Sequence, residues 1–232
     1  GKPHLADLLE ELCKLDFHWI RLHYLYPEWI DDRLIDVIAR EDKILKYLDI
    51  PLQHCNDKIL KKMNRRGDKK YLCALLDKLR ERIPGLVLRT SIIAGLPGEG
   101  EEEFDELCDF LREQKLLRAG VFPYSPEEGT RAAKMERVDS DEAARRAERI
   151  VDIQSEIIDA WNDERQGDVM EVLCEGFDGQ SMLFVGRSYA ESPDIDGRIY
   201  FSAPRDVAAG EFVPVRITGA MDGELTGELA EE

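Results

Sequence analysis

No apolar run in the 232 residues is long enough to cross a bilayer, and the start lacks the charged-then-apolar form of a secretory leader. A membrane role is therefore not expected, and the cytoplasm is the expected location. Cysteine is sparse and unordered. Cys13, Cys55, Cys73, Cys108 and Cys174 are odd in number, widely separated, and form no C-x-x-C pair. They read as reduced thiols on apolar faces, and no metal site is assigned to them. A phosphate loop is missing too. Gly95, Gly98 and Gly100 follow no G-x-G-x-x-G pattern, no Lys-Ser or Lys-Thr comes after them, and glutamates at 99 and 101–103, read as a solvated helix start, would repel an anion. Positive charge is also short. The chain has 49 Asp and Glu against 32 Lys and Arg, a net of −17. Direct nucleic-acid binding is thus not expected over most of the surface, and a basic protein is the better-matched partner.

What is present is a strand–helix alternation. Leu5, Leu8, Leu9 and Leu12 recur at helical spacing, and the chain opens almost directly on this helix, as a piece of a longer protein would. Apolar strands are predicted at 18–25, 46–53, 86–95 and 118–125. Helices are predicted between them, one starting at an Asp31 or Asp32 cap and one or two more broken near Gly67. Crossovers of this length join parallel strands, so residues 1–165 are expected to form part of a parallel β/α barrel with a linking helix at 139–166. After Gly167 the helical period disappears. Five short strands separated by Gly, Asp and Pro predict a small antiparallel β-barrel over 166–232. Residues 163–232 hold 16 acidic residues, five arginines and no lysine, a net of −11, so most of the negative charge belongs to this barrel.

Read in order, "YLDIPLQH", "MNRRGDKK", "RTSIIAGLPGEGEEEF", "GVFPYSPEEGT" and "GRSYAESPDIDG" resemble the methylthiotransferase branch of the radical S-adenosylmethionine (SAM) enzymes, whose terminal barrel is called a TRAM domain. The last two segments are most similar to the type that modifies an aspartate of a small-subunit ribosomal protein. The sister type, which modifies tRNA adenosine, is expected to have a more basic barrel. A non-catalytic binding module on the same scaffold is a further alternative. The resemblance implies the C-terminal part of a partial radical SAM β/α barrel followed by a five-stranded TRAM barrel. It also implies SAM and two [4Fe–4S] clusters in the full-length protein, a basic ribosomal protein as substrate, and a monomer. The C-x-x-x-C-x-x-C motif that binds the radical-generating cluster does not occur in this chain. The resemblance places both cluster-binding regions upstream of Gly1, so the chain is expected to be a truncated part, inactive alone.

The resemblance also assigns residues. It puts Ile93 and Gly95 in the apolar-glycine strand end that lies against adenine, with core packing of Ile92 and Ile93 as the alternative. Arg89, in an apolar strand, needs an anion: the cofactor's carboxylate or a carboxylate within the barrel. Gln53 would bond the ribose or methionyl group, or stabilise a turn. Arg65 would grip a carboxylate, or be a surface charge. Phe122 and Tyr124 share a face if extended, edging a pocket or packing in the core. His54 and Cys55 have no third partner in sequence and are left out of catalysis. Glu191, Asp194 and Asp196 are expected as water-exposed carboxylates in a Pro- and Gly-bounded turn, either docking a basic partner or simply solvated.

Overall fold

In the computed structural model, which describes residues 4–230, helices start where a side chain can satisfy the first free N–H groups. Asp31 accepts from Leu34 N–H (2.8 Å) ahead of α2 (Asp32–Arg40). Asn56 accepts from Lys58 and Ile59 N–H ahead of α3 (Asp57–Lys62). Asp68 accepts from Tyr71 N–H ahead of α4 (Lys69–Arg82). Each apolar stripe is buried: Leu34, Ile35, Val37 and Ile38 on α2, Leu72, Leu75, Leu76 and Leu79 on α4, and Phe104, Leu107, Phe110 and Leu111 on α5 (Glu101–Gln114). A first helix, α1 (Leu5–Cys13), precedes them.

The chain divides into two units, one reaching Gln154 and one from Ser155. The first holds a four-stranded, wholly parallel sheet in the order β1 (Ile20–Leu22), β2 (Ile44–Asp49), β3 (Val87–Ala94), β4 (Arg118–Pro123). Two strands are shorter than predicted. β1 ends before Tyr24, whose φ of +58° turns the chain out of extended geometry. β2 ends at Asp49 because Pro51 has no N–H for the ladder. Pairing resumes only at a single bridge between Gln53 and Ile92. The long helix α6 (Ser140–Glu164) follows, and in the first unit Gln154 Nε2 ties it to the Leu116 and Leu117 carbonyls at 3.0 and 2.6 Å.

The second unit is a closed barrel of β5 (Val169–Asp178), β6 (Leu183–Arg187), β7 (Ile199–Ser202), β9 (Glu224–Leu229) and β8 (Phe212–Met221) in that spatial order. Four seams are antiparallel and one, β7–β9, is parallel. Closure requires this: strand direction cannot alternate strictly around a ring of five. Alternate residues point inward, and Val172, Phe184, Ile199, Phe201, Val213, Val215, Ile217 and Leu225 fill the interior. Trp161 packs against them, and Asn162 Nδ2 donates to Gly223 O (3.0 Å), anchoring the end of α6 to the β8–β9 turn.

Glycine allows the barrel to close tightly at two points. A Cβ on Gly186 would lie 2.5 Å from the Leu173 carbonyl oxygen, and one on Gly227 2.6 Å from that of Arg216. Gly186→Ala is predicted to destabilise the barrel by about 1–3 kcal/mol, because backbone and not a flexible tip must yield. Chemical denaturation followed by the barrel's tryptophan, Trp161, would show a lower midpoint; an unchanged midpoint would mean that β5 and β6 separate freely here.

Candidate functional site

In-register neighbours share a face, so the sheet's inner surface can be read in rows. The deepest row joins Asp49, Arg89 and Arg118, aligned across β2, β3 and β4 and all buried. Arg89 Nη1 donates to Asp49 Oδ1 at 3.2 Å, and His23 Nδ1 lies 3.5 Å from the other Asp49 oxygen. Arg21 stacks over the ring of Tyr47 at 4.3 Å. Gly120 on β4 makes room for Arg89: a Cβ there would stand 3.3 Å from Nη2. Of the two readings of Arg89, the ion pair within the barrel is the one present. Asp49, the partner, was legible as a lone acid inside "YLDIP".

Toward the strands' C-terminal ends the surface turns apolar and opens. Gln53 N–H donates to Ser91 O (2.8 Å) and its carbonyl accepts from Ile93 N–H (3.0 Å), while Ile93 is in register with Phe122. Ile93 and Phe122 thus form one row, while Gln53 is bridged to Ile92, the residue before Ile93. Gln53 and Ile93 are half-buried and Phe122 is exposed. Gln53 is held at φ +70°, a costly conformation for a residue with a side chain, often found where geometry serves a site. Tyr124 N–H extends the ladder to Ala94 O (2.8 Å). Arg65 lies apart from this row, in the α3–α4 loop, with its guanidinium 5.2 Å from the Tyr26 ring centroid.

The β3–α5 loop differs from expectation. Glu99 does not belong to a solvated helix start. α5 begins at Glu101, and Glu99 folds beneath the loop at 3% exposure. Left-handed turns at Gly95 and Gly98 bring it there. One carboxylate oxygen accepts from Gly95 N–H and Arg146 Nη1, both at 2.9 Å, and the other lies 3.3 Å from His54 Nε2. His54 Nδ1 accepts from Asn56 N–H (2.9 Å), which leaves the neutral ring's proton on Nε2, facing Glu99. Arg146 further bonds the Glu99 carbonyl, Glu101 and Glu142. Burial opposes ionisation of Glu99, but the hydrogen bonds from His54, Arg146 and Gly95 outweigh it and hold the carboxyl below its ordinary value. A Cβ on Gly95 would meet Ala143 of α6 at 2.6 Å, so the glycine lets the helix pass close to the loop.

Residues 1–111 match the Radical SAM superfamily model and residues 167–230 the TRAM domain model. Relatives named ribosomal protein uS12 methylthiotransferase RimO include those of Symbiobacterium thermophilum, 47% identical over 99% of this chain and 48% of its own length, and Acetivibrio thermocellus, 43% over 100% and 52%. The Myxococcus xanthus relative is 46% identical over 100% and 49%. The chain belongs to the radical SAM methylthiotransferase family. It spans about half the length of the curated relatives it matches. Among solved structures, coproporphyrinogen III oxidase (HemN) of Escherichia coli, a radical SAM enzyme, superposes with a TM-score of 0.55 over 68% of this chain and 37% of its own, at 20% identity, a likeness of fold.

A radical SAM family implies SAM and a [4Fe–4S] cluster. The open apolar pair of Ile93 and Phe122 suits a flat base. The cysteines do not suit a cluster. Cys55, Cys108 and Cys174 are buried, desolvation pushes all five thiols up, and among the described residues no three His, Cys, Asp or Glu side chains converge on a metal position. In the TRAM barrel the acidic turn is smaller than expected. Glu191 is buried and accepts from Ser188 N–H (2.8 Å) and Oγ (2.6 Å), because that serine offers two donors to a carboxylate three residues on. It therefore leaves the exposed cluster. Asp196, half-buried, accepts from Ser192 N–H (2.8 Å), and Asp194 is exposed.

Glu99→Ala is predicted to cost about 3–5 kcal/mol, because it leaves Arg146 and His54 facing a buried gap. The sign with pH follows from the lowered carboxyl pKa. The contribution is complete above the unfolded value near ~4.3 and is lost as pH falls through the lower folded value. Denaturation curves collected on the acid side should flatten in Glu99→Gln relative to the parent; parallel curves would contradict the assignment.

Proposed function

We propose that this chain supplies the cofactor-facing sheet and the terminal barrel of a radical SAM methylthiotransferase that adds a methylthio group to an aspartate side chain of the small-subunit ribosomal protein uS12. The observation that carries this is identity of 42–47% running through both units to relatives named for that protein. The acidic barrel supports it, since a surface of net −11 suits a basic protein partner. Asp194 and Asp196 belong to that docking surface. The protein would act in the cytoplasm as a monomer.

Gln53, Ile93, Phe122 and Tyr124 would hold SAM at the open end of the sheet. Ile93 and Phe122 would take the adenine, and the Gln53 amide would bond the ribose or methionyl group. Arg65, in the α3–α4 loop apart from that row, would have to leave Tyr26 to grip the cofactor's carboxylate. Arg89 acts one level down, fixing Asp49 and bracing the floor. SAM and its iron–sulfur cluster supply the radical chemistry at an unreactive C–H bond, and the protein positions groups and excludes water. The five cysteines here hold neither that cluster nor a second one, and this chain alone is inactive in the proposal.

Two measurements test this reading. The complete protein carrying this chain, reconstituted anaerobically with iron and sulfide, should add one methylthio group to uS12, located by tandem mass spectrometry on an aspartate; modification of tRNA in place of uS12 would sink it. For the shelf, Phe122→Ala should weaken SAM binding to the complete protein by roughly 5- to 150-fold, equivalent to ~1–3 kcal/mol of stacking on a base. Unchanged affinity with an unchanged melting temperature would remove Phe122 from the site.

A further inference from the structure

The negative charge of the chain is not uniform. The fourteen residues 57–70 hold Lys58, Lys61, Lys62, Arg65, Arg66, Lys69 and Lys70 against only Asp57 and Asp68, a net of +5 inside a chain of −17. The fold turns this local excess outward. Ile59 and Leu60 are the buried face of α3, so its lysines lie on the solvent side. Both acids are engaged with backbone: Asp57 accepts from Lys69 N–H (2.8 Å) and Asp68 caps α4. Lys58 and Lys69 are neutralised by Glu103 and Glu106. Lys61, Lys62, Arg66 and Lys70 form no ion pair among the described residues, and all four are exposed.

Aromatic rings border these cations. Arg65 stacks on Tyr26, Tyr71 Oη donates to Pro27 O (3.0 Å), and Pro27 leads into Trp29. Tyr26, Trp29 and Tyr71 are each exposed by 39–53%. The Gly67 turn lies against Tyr71, where a Cβ would approach the ring to 2.6 Å, so the loop bearing Arg65 and Arg66 is braced against the aromatic group. Cations without partners would attract any anion, but cations interleaved with half-exposed aromatic rings match a nucleic acid strand, whose phosphates meet the charges and whose bases stack. An acidic polypeptide offers nothing to the rings beyond its backbone.

We propose that the α3–α4 surface, centred on Lys61, Lys62, Arg66 and Lys70 with Tyr26, Trp29 and Tyr71 beside them, binds single-stranded or looped RNA. This does not depend on the methylthiolation reading, because it concerns binding and a surface distinct from the shelf. It is compatible with a protein substrate presented within a ribonucleoprotein particle.

The test is fluorescence anisotropy with a labelled single-stranded RNA and a labelled RNA stem-loop, on the chain as given, over a range of salt. Two variants are compared: Lys61→Gln/Lys62→Gln/Arg66→Gln/Lys70→Gln, and a control with Lys14→Gln/Arg112→Gln/Lys115→Gln/Arg145→Gln, which removes the same charge elsewhere. The patch variant should bind at least ~10-fold more weakly at low salt, and its log–log salt slope should fall by about 0.7 per lost phosphate contact. Trp29→Ala should weaken binding without changing that slope, which separates stacking from charge. Circular dichroism confirms that each variant is folded. The proposal is overturned if the parent shows no salt-dependent RNA binding, if both quadruple variants lose affinity equally, or if a poly-glutamate peptide binds the patch as tightly as RNA does.

Discussion

The first unit depends on one buried carboxylate. Glu99 joins three pieces of chain that are distant in sequence: the loop after β2 through His54, its own loop through Gly95 N–H, and α6 through Arg146. None of these contacts would be worth much at the surface. Inside, an ionised group without partners is strongly unfavourable, so each of the three must be present for the others to be tolerated. The result is closer to a lock than to a sum of bonds. It fixes the direction in which β3 leaves the sheet, and hence the position of the Ile93 row. It also explains the glycines that first suggest a phosphate site. Gly95 is needed because α6 passes against it, and Gly98 because the chain must reverse to bring Glu99 under itself. The loop's conspicuous composition serves its own closure.

Much of the architecture was legible in the sequence, for reasons that can be named. The cap at Asp31 or Asp32, apolar stripes at helical period, and β-branched runs between them are local signals, and the elements stand where those signals are, while the caps at Asn56 and Asp68 emerge from the structure. The loss of helical period after Gly167 revealed the barrel for the same reason. Strand ends were less legible. Gln53 and Tyr24 adopt positive φ, which no side chain advertises. Partner choice was least legible of all. Glu99 looked like one of four helix-start glutamates, and only its contacts from 45 or more residues away set it apart. Glu191 looked like its neighbours in an acidic turn, yet Ser188 draws it inward. Long-range pairing of charges is a property of the folded chain, and a composition rule that treats like residues alike cannot see it.

The inner face of the sheet combines two environments that single residues would not suggest. Its floor is ionic, with Arg89 held by Asp49 and flanked in register by Arg118. Its open end is apolar, with Ile93 beside Phe122 and a single amide from Gln53. A flat, weakly polar ring suits the second environment far better than the first. A guanidinium whose charge is already shared with Asp49 is also a poor hand for a further carboxylate, since taking on a new anion would mean loosening a buried pair. The floor is therefore better suited to rigidity than to capture.

Charge in this protein is sorted by element and not averaged over the surface. The barrel segment carries −11 without a single lysine, while fourteen residues of α3 and the start of α4 carry +5. A merely soluble protein gains nothing from such sorting, because repulsion among like charges destabilises each segment and mixed signs would serve solubility equally well. Across α3, the loop and the start of α4 that cost is visible: Lys61, Lys62, Arg66 and Lys70 have no acidic partner among the described residues although Asp57 and Asp68 lie in the same stretch, both already committed to backbone N–H groups. An arrangement that withholds available counter-charges from a surface is most simply understood if something outside the chain provides them. A counter-charge on the barrel would be cationic and one on α3–α4 anionic, so a single net charge describes neither surface.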